Sequence, residues 1–200
     1  LGVCRIISRP FKDGLKGTFI RTNNRKDFAS TPPKDTLCDL ITKNGKTCYG
    51  IGKVGEIFDN RNIETFLKGQ NDEKLFFGLL KCIDIMKDGD LIFANFVEFD
   101  SLYGHRRDVR GYADALESFD KLLPFLFKKI NNDDLLIITA DHGNDPTAPG
   151  SDHTREQVPV LIYRKNFFYG NLGIVNFSDI AATMANHLNL DGSNFGKIFL

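Results

Sequence analysis

Apolar positions change their rhythm along the chain. Residues 91–97, 135–140 and 158–163 are nearly unbroken apolar runs, bounded by polar turns such as Gly89-Asp90 and the stretch 131–134. Short continuous runs of this kind are what strands look like when neither face of a sheet meets water. Elsewhere the spacing lengthens to that of a helix. Residues 72–87 place Leu75, Phe76, Leu79, Leu80, Ile83 and Met86 on one face. Residues 111–130 carry the stripe Phe119, Leu122, Leu123 and Leu126, with Pro124 expected to kink or split the helix. A short helix is expected at 36–43, capped by Thr36, and a short strand at 47–51, ended by Gly52. A last helix is expected at 178–188. Strands alternating with helices mean an α/β fold, an open and mainly parallel sheet with helices on both faces. Ligands of such sheets bind beyond the C-terminal ends of the strands.

The first 35 residues break the pattern. One strand is expected at 3–7, followed by Arg9-Pro10, Gly14, Gly17, Thr22-Asn23-Asn24-Arg25 and the double proline Pro32-Pro33. Prolines and glycines at that density punctuate a chain, so a boundary is placed there, with one unit at 1–33 and a second at 34–200. Charge divides along the same line. The 26 Lys and Arg balance the 26 Asp and Glu overall, but residues 1–35 hold eight of the cations against three Asp, a local +5 against −5 elsewhere. Overall neutrality argues against nucleic acid or an anionic membrane as the main partner.

Composition adds bounds. The 42% hydrophobic and 26% charged fractions are those of an ordinary globular chain of 200 residues. No apolar run reaches the roughly 20 residues that span a bilayer, and no signal-peptide pattern opens the chain. The start at Leu1, inside an expected strand, reads as that of a fragment. Cys4, Cys38, Cys48 and Cys82 are widely spaced, which predicts buried free thiols in a reducing cytoplasm rather than disulfides or a zinc–thiolate site.

The chemistry gathers where the apolar runs end. The run at 91–97 leads into Glu98-Phe99-Asp100, with His105 five residues on. The run at 135–140 leads into Asp141-His142-Gly143-Asn144-Asp145. His153 comes after a loop and precedes the run at 158–163. If these strands are parallel neighbours, all five of Asp100, His105, Asp141, His142 and His153 meet at one sheet edge. Carboxylate oxygen with imidazole nitrogen suits zinc, manganese or iron. Five such ligands divide naturally between two ions, the arrangement that clamps both oxygens of a phosphoryl displacement. Gly143 is expected to allow a sharp turn between the ligand pairs. Thr139, Thr147, Ser151 and Thr154 are hydroxyls close enough in sequence to be nominated as a nucleophile. His187 has no carboxylate arranged around it and reads as a packing residue. Asp108, Asp114 and Asp120 read as helix-surface charges.

Longer motifs carry a resemblance. The run Ile138-Thr139-Ala140-Asp141-His142-Gly143-Asn144-Asp145-Pro146-Thr147, continuing through Asp152-His153-Thr154-Arg155-Glu156, resembles the phosphopentomutase family. So do Phe99-Asp100-Ser101-Leu102-Tyr103-Gly104-His105-Arg106-Arg107-Asp108, the stretches 5–11 and 19–25, and Gly50-Ile51-Gly52-Lys53-Val54. The broader alkaline phosphatase superfamily shares the Asp and His positions but not the Asp-His-Thr-Arg-Glu continuation.

The resemblance implies an isomerase that moves phosphate between C1 and C5 of ribose or 2-deoxyribose, with two manganese ions and a sugar bisphosphate primer. It assigns Asp100, His105 and His153 to one ion and Asp141 and His142 to the other. It places the phosphorylatable Thr nucleophile and a further Asp ligand upstream of Leu1, so none of the four hydroxyls is nominated. It assigns Arg5, Arg21 and Lys53 to substrate phosphate, with Arg9 and Arg25 as neighbours, and Thr154 and Arg155 to holding the His153 loop. Residues 1–33 would be the end of a cap domain. The alternatives are another enzyme of the same superfamily, a phosphatase or phosphoglycerate mutase, and a non-catalytic metal-binding module.

Overall fold

The computed structural model describes residues 4–22, 24, 26–69, 71–168, 170–191 and 196–200, with Arg21 described by its backbone alone. Two antiparallel pairs come first. Strand β1 (Arg5–Ser8) pairs with β4 (Lys26–Ala29), and β2 (Phe11–Asp13) pairs with β3 (Phe19–Arg21). The strand expected at 3–7 is β1, and the loops expected after it are corrected to β2, β3 and β4. These three were hidden because their apolar residues do not alternate toward a core: Phe11, Phe19, Ile20 and Phe28 are all exposed. The Pro32-Pro33 segment is tied to the helical part of the chain. The Arg61 guanidinium donates to Pro32 O at 2.7 Å and reaches Asp35 at 2.8 Å and Asp39 at 2.7 Å.

From there the chain is α/β, as the apolar pattern predicts. Helix α1 (Leu37–Lys43) starts at Thr36, whose hydroxyl accepts from Asp39 N while Asp39 accepts from Thr36 N, a reciprocal cap. Strand β5 (Cys48–Ile51) lies at the centre of a parallel sheet. The short helix α2 (Val54–Ile57) leads to β6 (Glu64–Leu67), and α3 (Asp72–Ile83) leads to β7 (Leu91–Ala94), giving the order β6-β5-β7. Next come a single π-helical turn (Phe99–Gly104) and helix α4 (Val109–Lys129), then β8 (Leu136–Thr139), β9 (Val160–Tyr163) and α5 (Phe177–His187). One face of the parallel sheet packs on α1 and α5 through Cys38, Ile41, Cys48, Leu91 and Ala185. The other packs on α3 through Ile51, Leu75 and Cys82, and Phe76 carries that layer on to α4.

Four features differ from the expected pattern. Helix α3 stops at Ile83 rather than 87, because the Asp90 carboxylate takes the N–H of both Lys87 and Thr47, at 2.8 Å each, and draws the chain into β7. Helix α4 runs through Pro124 unbroken, its stripe Phe119, Leu122, Leu123 and Leu126 packed in the shared core. It begins at Val109 because Asp108 accepts from Gly111 N at 2.9 Å, so this Asp is a cap rather than a surface charge. Finally, β8 and β9 pair antiparallel with each other, in a sheet separate from the other three strands.

Of the thiols, Cys38, Cys48 and Cys82 are buried as expected, and burial pushes the Cys82 thiol up to about 11. Cys4 is exposed, against expectation, because β1 has no layer over it. Among the described residues no helix is long and apolar enough to cross a membrane.

Candidate metal centre

The turn after β7 is the first unusual local structure. Its hydrogen bonds close over five residues, His105 N to Asp100 O at 2.9 Å and Asp108 N to Tyr103 O at 3.0 Å. A π-helical turn is wider than an α-helical one and occurs mostly as a single turn at functional sites. Here it brings residues five apart onto one side, so His105 Nε2 sits 3.4 Å from Asp100 Oδ2.

The loop after β8 brings the others. Thr154 N donates to Gly143 O at 3.1 Å, an isolated antiparallel bridge that lays the His153 segment against the His142 segment. His153 Nε2 then reaches Asp100 Oδ1 at 3.1 Å. The His142 and His153 rings stack with centroids 3.8 Å apart, and the His105 ring stacks with His153 at 4.8 Å. Asp100, His142 and His153 each offer a ligand atom, all within 4.8 Å of one another. His105 and Asp141 stand outside that trio: His105 borders it through Asp100, and the Asp141 carboxylate is largely exposed, 3.7 Å from His142 Nε2. A Cβ at Gly143 would meet the carboxylate of Glu156, the movable end of a flexible side chain.

The ring orientation and donor set suit a cation. His105 Nδ1 lies 2.6 Å from Ser151 O, and His142 Nδ1 lies 3.1 Å from Gly143 O. A carbonyl only accepts, so Nδ1 is the donor there and Nε2 is the ring atom turned toward the carboxylates. Imidazole nitrogen with carboxylate oxygen is the donor set of first-row divalent metals. The residues present thus fit a metal ion.

Residues that the motif reading passed over fasten the centre. Asn144 Nδ2 donates to Asp100 Oδ1 at 2.7 Å. Arg107 donates from Nε to Gly150 O at 2.6 Å and from Nη2 to Asp152 O at 2.6 Å. Its Nη1 reaches Gly104 O at 3.0 Å, Asn144 Oδ1 at 2.8 Å and Asp145 O at 2.9 Å. Their only sequence signal was position, two residues after one candidate ligand and two after another. Thr154 accepts from Asp145 N at 2.7 Å and donates to Glu156 at 2.8 Å. Arg155 is exposed and lines a cavity of about 730 Å³ beside Asp141 and His142, whose far end is apolar, with Val160, Ile162, Ile174 and Phe177.

The basic candidates are more dispersed. Arg5 pairs with Asp27 across β1 and β4. Arg21 lies in β3 with its side chain outside the described residues, and Arg25 lies outside them altogether. Lys53 comes directly after Gly52, which has φ +80° and where a Cβ would stand 2.2 Å from Asn95 O, so only glycine fits. Near Lys53, Asp72 accepts from Val97 N and Glu98 N at 3.0 Å each, while Glu98 accepts from Asp72 N at 3.1 Å. Burial, with Glu98 beside it, pushes the Asp72 carboxyl up to about 6, against the pull of those amides and of Lys53. Far from the centre, His187 Nε2 lies 2.9 Å from Asp133 O in a half-buried position, the packing role expected.

This fold and donor set define a metal-dependent α/β enzyme class, and the chain belongs to the Metalloenzyme superfamily, whose model matches residues 21–192. More particularly, it is similar over nearly all its length to curated phosphopentomutases. It is 45% identical over 197 residues to that of Rhizobium johnstonii, covering 98% of this chain and 48% of that protein. It is 48% identical over 197 residues to that of Chelativorans sp. strain BNC1, with the same shares, and 41% identical over 201 residues to that of Agrobacterium fabrum, covering all of this chain and 50% of that one. The chain spans about half the length of the curated relatives it matches.

Proposed function

We propose that this chain is the metal-binding, C-terminal part of a cytoplasmic phosphopentomutase, with residues 1–33 closing a cap domain and 34–200 forming part of the core. The observation that carries the reading is the convergence of Asp100, His142 and His153 within 4.8 Å, in a chain similar end to end to phosphopentomutases. The reaction is phosphoryl transfer between C1 and C5 of ribose or 2-deoxyribose by way of a phosphorylated threonine that lies outside these residues, primed by a sugar bisphosphate. Asp100, His105 and His153 would hold one manganese ion, and Asp141 and His142 would contribute to the other. Such ions supply charge neutralisation for the transferring group, which needs alignment more than acid–base help.

The chain's own residues do the positioning. Ser151 O and Gly143 O orient the His105 and His142 rings with Nε2 free to coordinate. Arg5, Arg21 and Lys53 supply cations for the non-reacting phosphate, where guanidinium geometry matches the oxygens. For Arg5 this requires exchanging Asp27 for phosphate. Full-length protein with manganese and a bisphosphate primer is expected to convert ribose 1-phosphate to ribose 5-phosphate. No conversion at saturating manganese and primer sinks the reading. The 200-residue chain alone is expected to be inactive, and turnover by it would refute the placement of the nucleophile.

A further inference from the structure

One side chain touches every segment that carries a candidate ligand. The Arg107 guanidinium bonds to Gly104 O, next to His105; to Asn144 Oδ1 and Asp145 O, just after His142; and to Gly150 O and Asp152 O, on either side of Ser151 and just before His153. The π-helical turn and two stretches of the β8–β9 loop thus converge on one planar cation. Three of these bonds act one step from the candidate metal cluster. Asn144, held through its oxygen by Arg107, donates through its nitrogen to Asp100. Gly150 O and Asp152 O flank the residue whose carbonyl orients His105. The backbone of Arg107 has φ +55°, a left-handed conformation costly for a residue with a Cβ, at the junction between the π-helical turn and α4.

The acceptors are four carbonyls and one amide, none of them a carboxylate. Arg107 therefore does not serve as a counter-ion to Asp100. Its work is geometric: a rigid fork with five N–H donors, at least four of them directed at loop oxygens, sets where the loops lie relative to one another. A lysine ammonium has three donors on a flexible stem and cannot span the same set.

We propose that Arg107 is a positioning residue that assembles the three ligand-bearing segments into one metal site. This rests on the reading that the Asp and His cluster binds a divalent ion, and the test separates the two. The full-length protein is titrated with manganese by calorimetry as wild type, Arg107→Ala and Arg107→Lys, with far-UV circular dichroism checking the fold. Arg107→Ala is expected to weaken manganese binding about 10–100-fold, the usual loss when a residue that orients metal ligands is removed. Arg107→Lys is expected to fall between, and added guanidinium ion to restore part of the affinity to Arg107→Ala. Should Arg107→Ala not fold, Arg107→Lys carries the test. Manganese affinity within twofold of wild type in a folded variant overturns the inference while leaving metal binding intact. So does a raised KM for pentose phosphate at saturating manganese without a change in manganese affinity, since Arg107 would then be a substrate contact. Absence of manganese binding by the wild type overturns the inference together with the reading beneath it.

Discussion

The parallel sheet β6-β5-β7 and the antiparallel pair β8-β9 both deliver candidate ligands, but they are held in place by different forces. The first is sandwiched between helices, with Ile51, Cys48, Leu75 and Phe76 almost wholly buried. The second is half-covered: Leu136 and Tyr163 pack against α4, while Leu161 is 59% exposed and Val160 and Ile162 border the cavity. What joins the loop of the second to the first at the candidate metal cluster is polar, the set of bonds made by Arg107 and Asn144. Burial sets the fold, and side-chain hydrogen bonds set the site. Damage to each should therefore be separable.

The largest effect tests the buried side. Phe76 touches Phe96 and Phe119 by their ring edges or tilted faces and joins the sheet to α4. Phe76→Ala is expected to cost about 3–5 kcal/mol in urea denaturation, by lost transfer energy and the cavity left behind. A loss under about 1 kcal/mol would mean that this layer is not what holds the two parts together. On the polar side, His153→Ala is expected to lose bound metal by elemental analysis while the urea midpoint stays close to wild type. Unfolding of that variant would break the separation between fold and site.

Asn144→Ala is the milder version. It leaves every ligand in place and removes one donor to Asp100, so metal affinity is expected to fall about 10-fold or more. An unchanged affinity would show that Asp100 is held by its own π-helical turn.

Legibility in the sequence divides the same way. The elements that bury an apolar face were legible: α3, α4, β5, β7 and the cap at Thr36 all announced themselves by period or by residue type. The candidate ligands drew notice as a set, because a carboxylate or imidazole at one strand end is ordinary while five gathered at the ends of three apolar runs are not. The pairing of β8 with β9 was not, since an apolar run such as Leu136–Thr139 marks burial without saying which neighbour provides it. Of the pairs β1-β4 and β2-β3, only β1 was legible, because exposed Phe11, Ile20 and Phe28 give no alternation toward a core. Arg107 and Asn144 act through carbonyls and amides, and backbone acceptors leave no trace in sequence spacing.

Between the two regions lies Asp72, which fastens the start of α3 to the segment just before Asp100. Its carboxyl is raised from 3.8 to about 6, chiefly by burial. The folded protein then binds this proton more tightly than the unfolded chain does. The residue's contribution is most favourable when both states are protonated, below the unfolded value, and is lost as pH rises through about 6. Asp72→Asn, neutral at every pH, is expected to remove that slope from a plot of urea stability between pH 4 and pH 6. The variant keeps one amide contact and gives up the other, so its stability at low pH should be slightly below wild type. A slope in Asp72→Asn equal to that of the wild type would mean that another group titrates there and that Asp72 is ionised throughout.

The smallest effect is expected on the half-covered pair. Leu161→Thr, at a β9 position 59% exposed, should change stability by no more than about 0.5 kcal/mol in the 200-residue chain. Threonine is β-branched, a shape that strands favour, so at an exposed site the substitution chiefly trades apolar area for a hydroxyl that water can solvate. The same change in full-length protein measures what covers this strand there. A matching small effect means that β9 stays open to water. A loss of about 2 kcal/mol or more means that residues outside these 200 bury it, because only a packed position penalises lost methyl groups that heavily. The second result would make β8-β9 a buried layer like β6-β5-β7, and would confine the difference between the two sheets to the isolated chain.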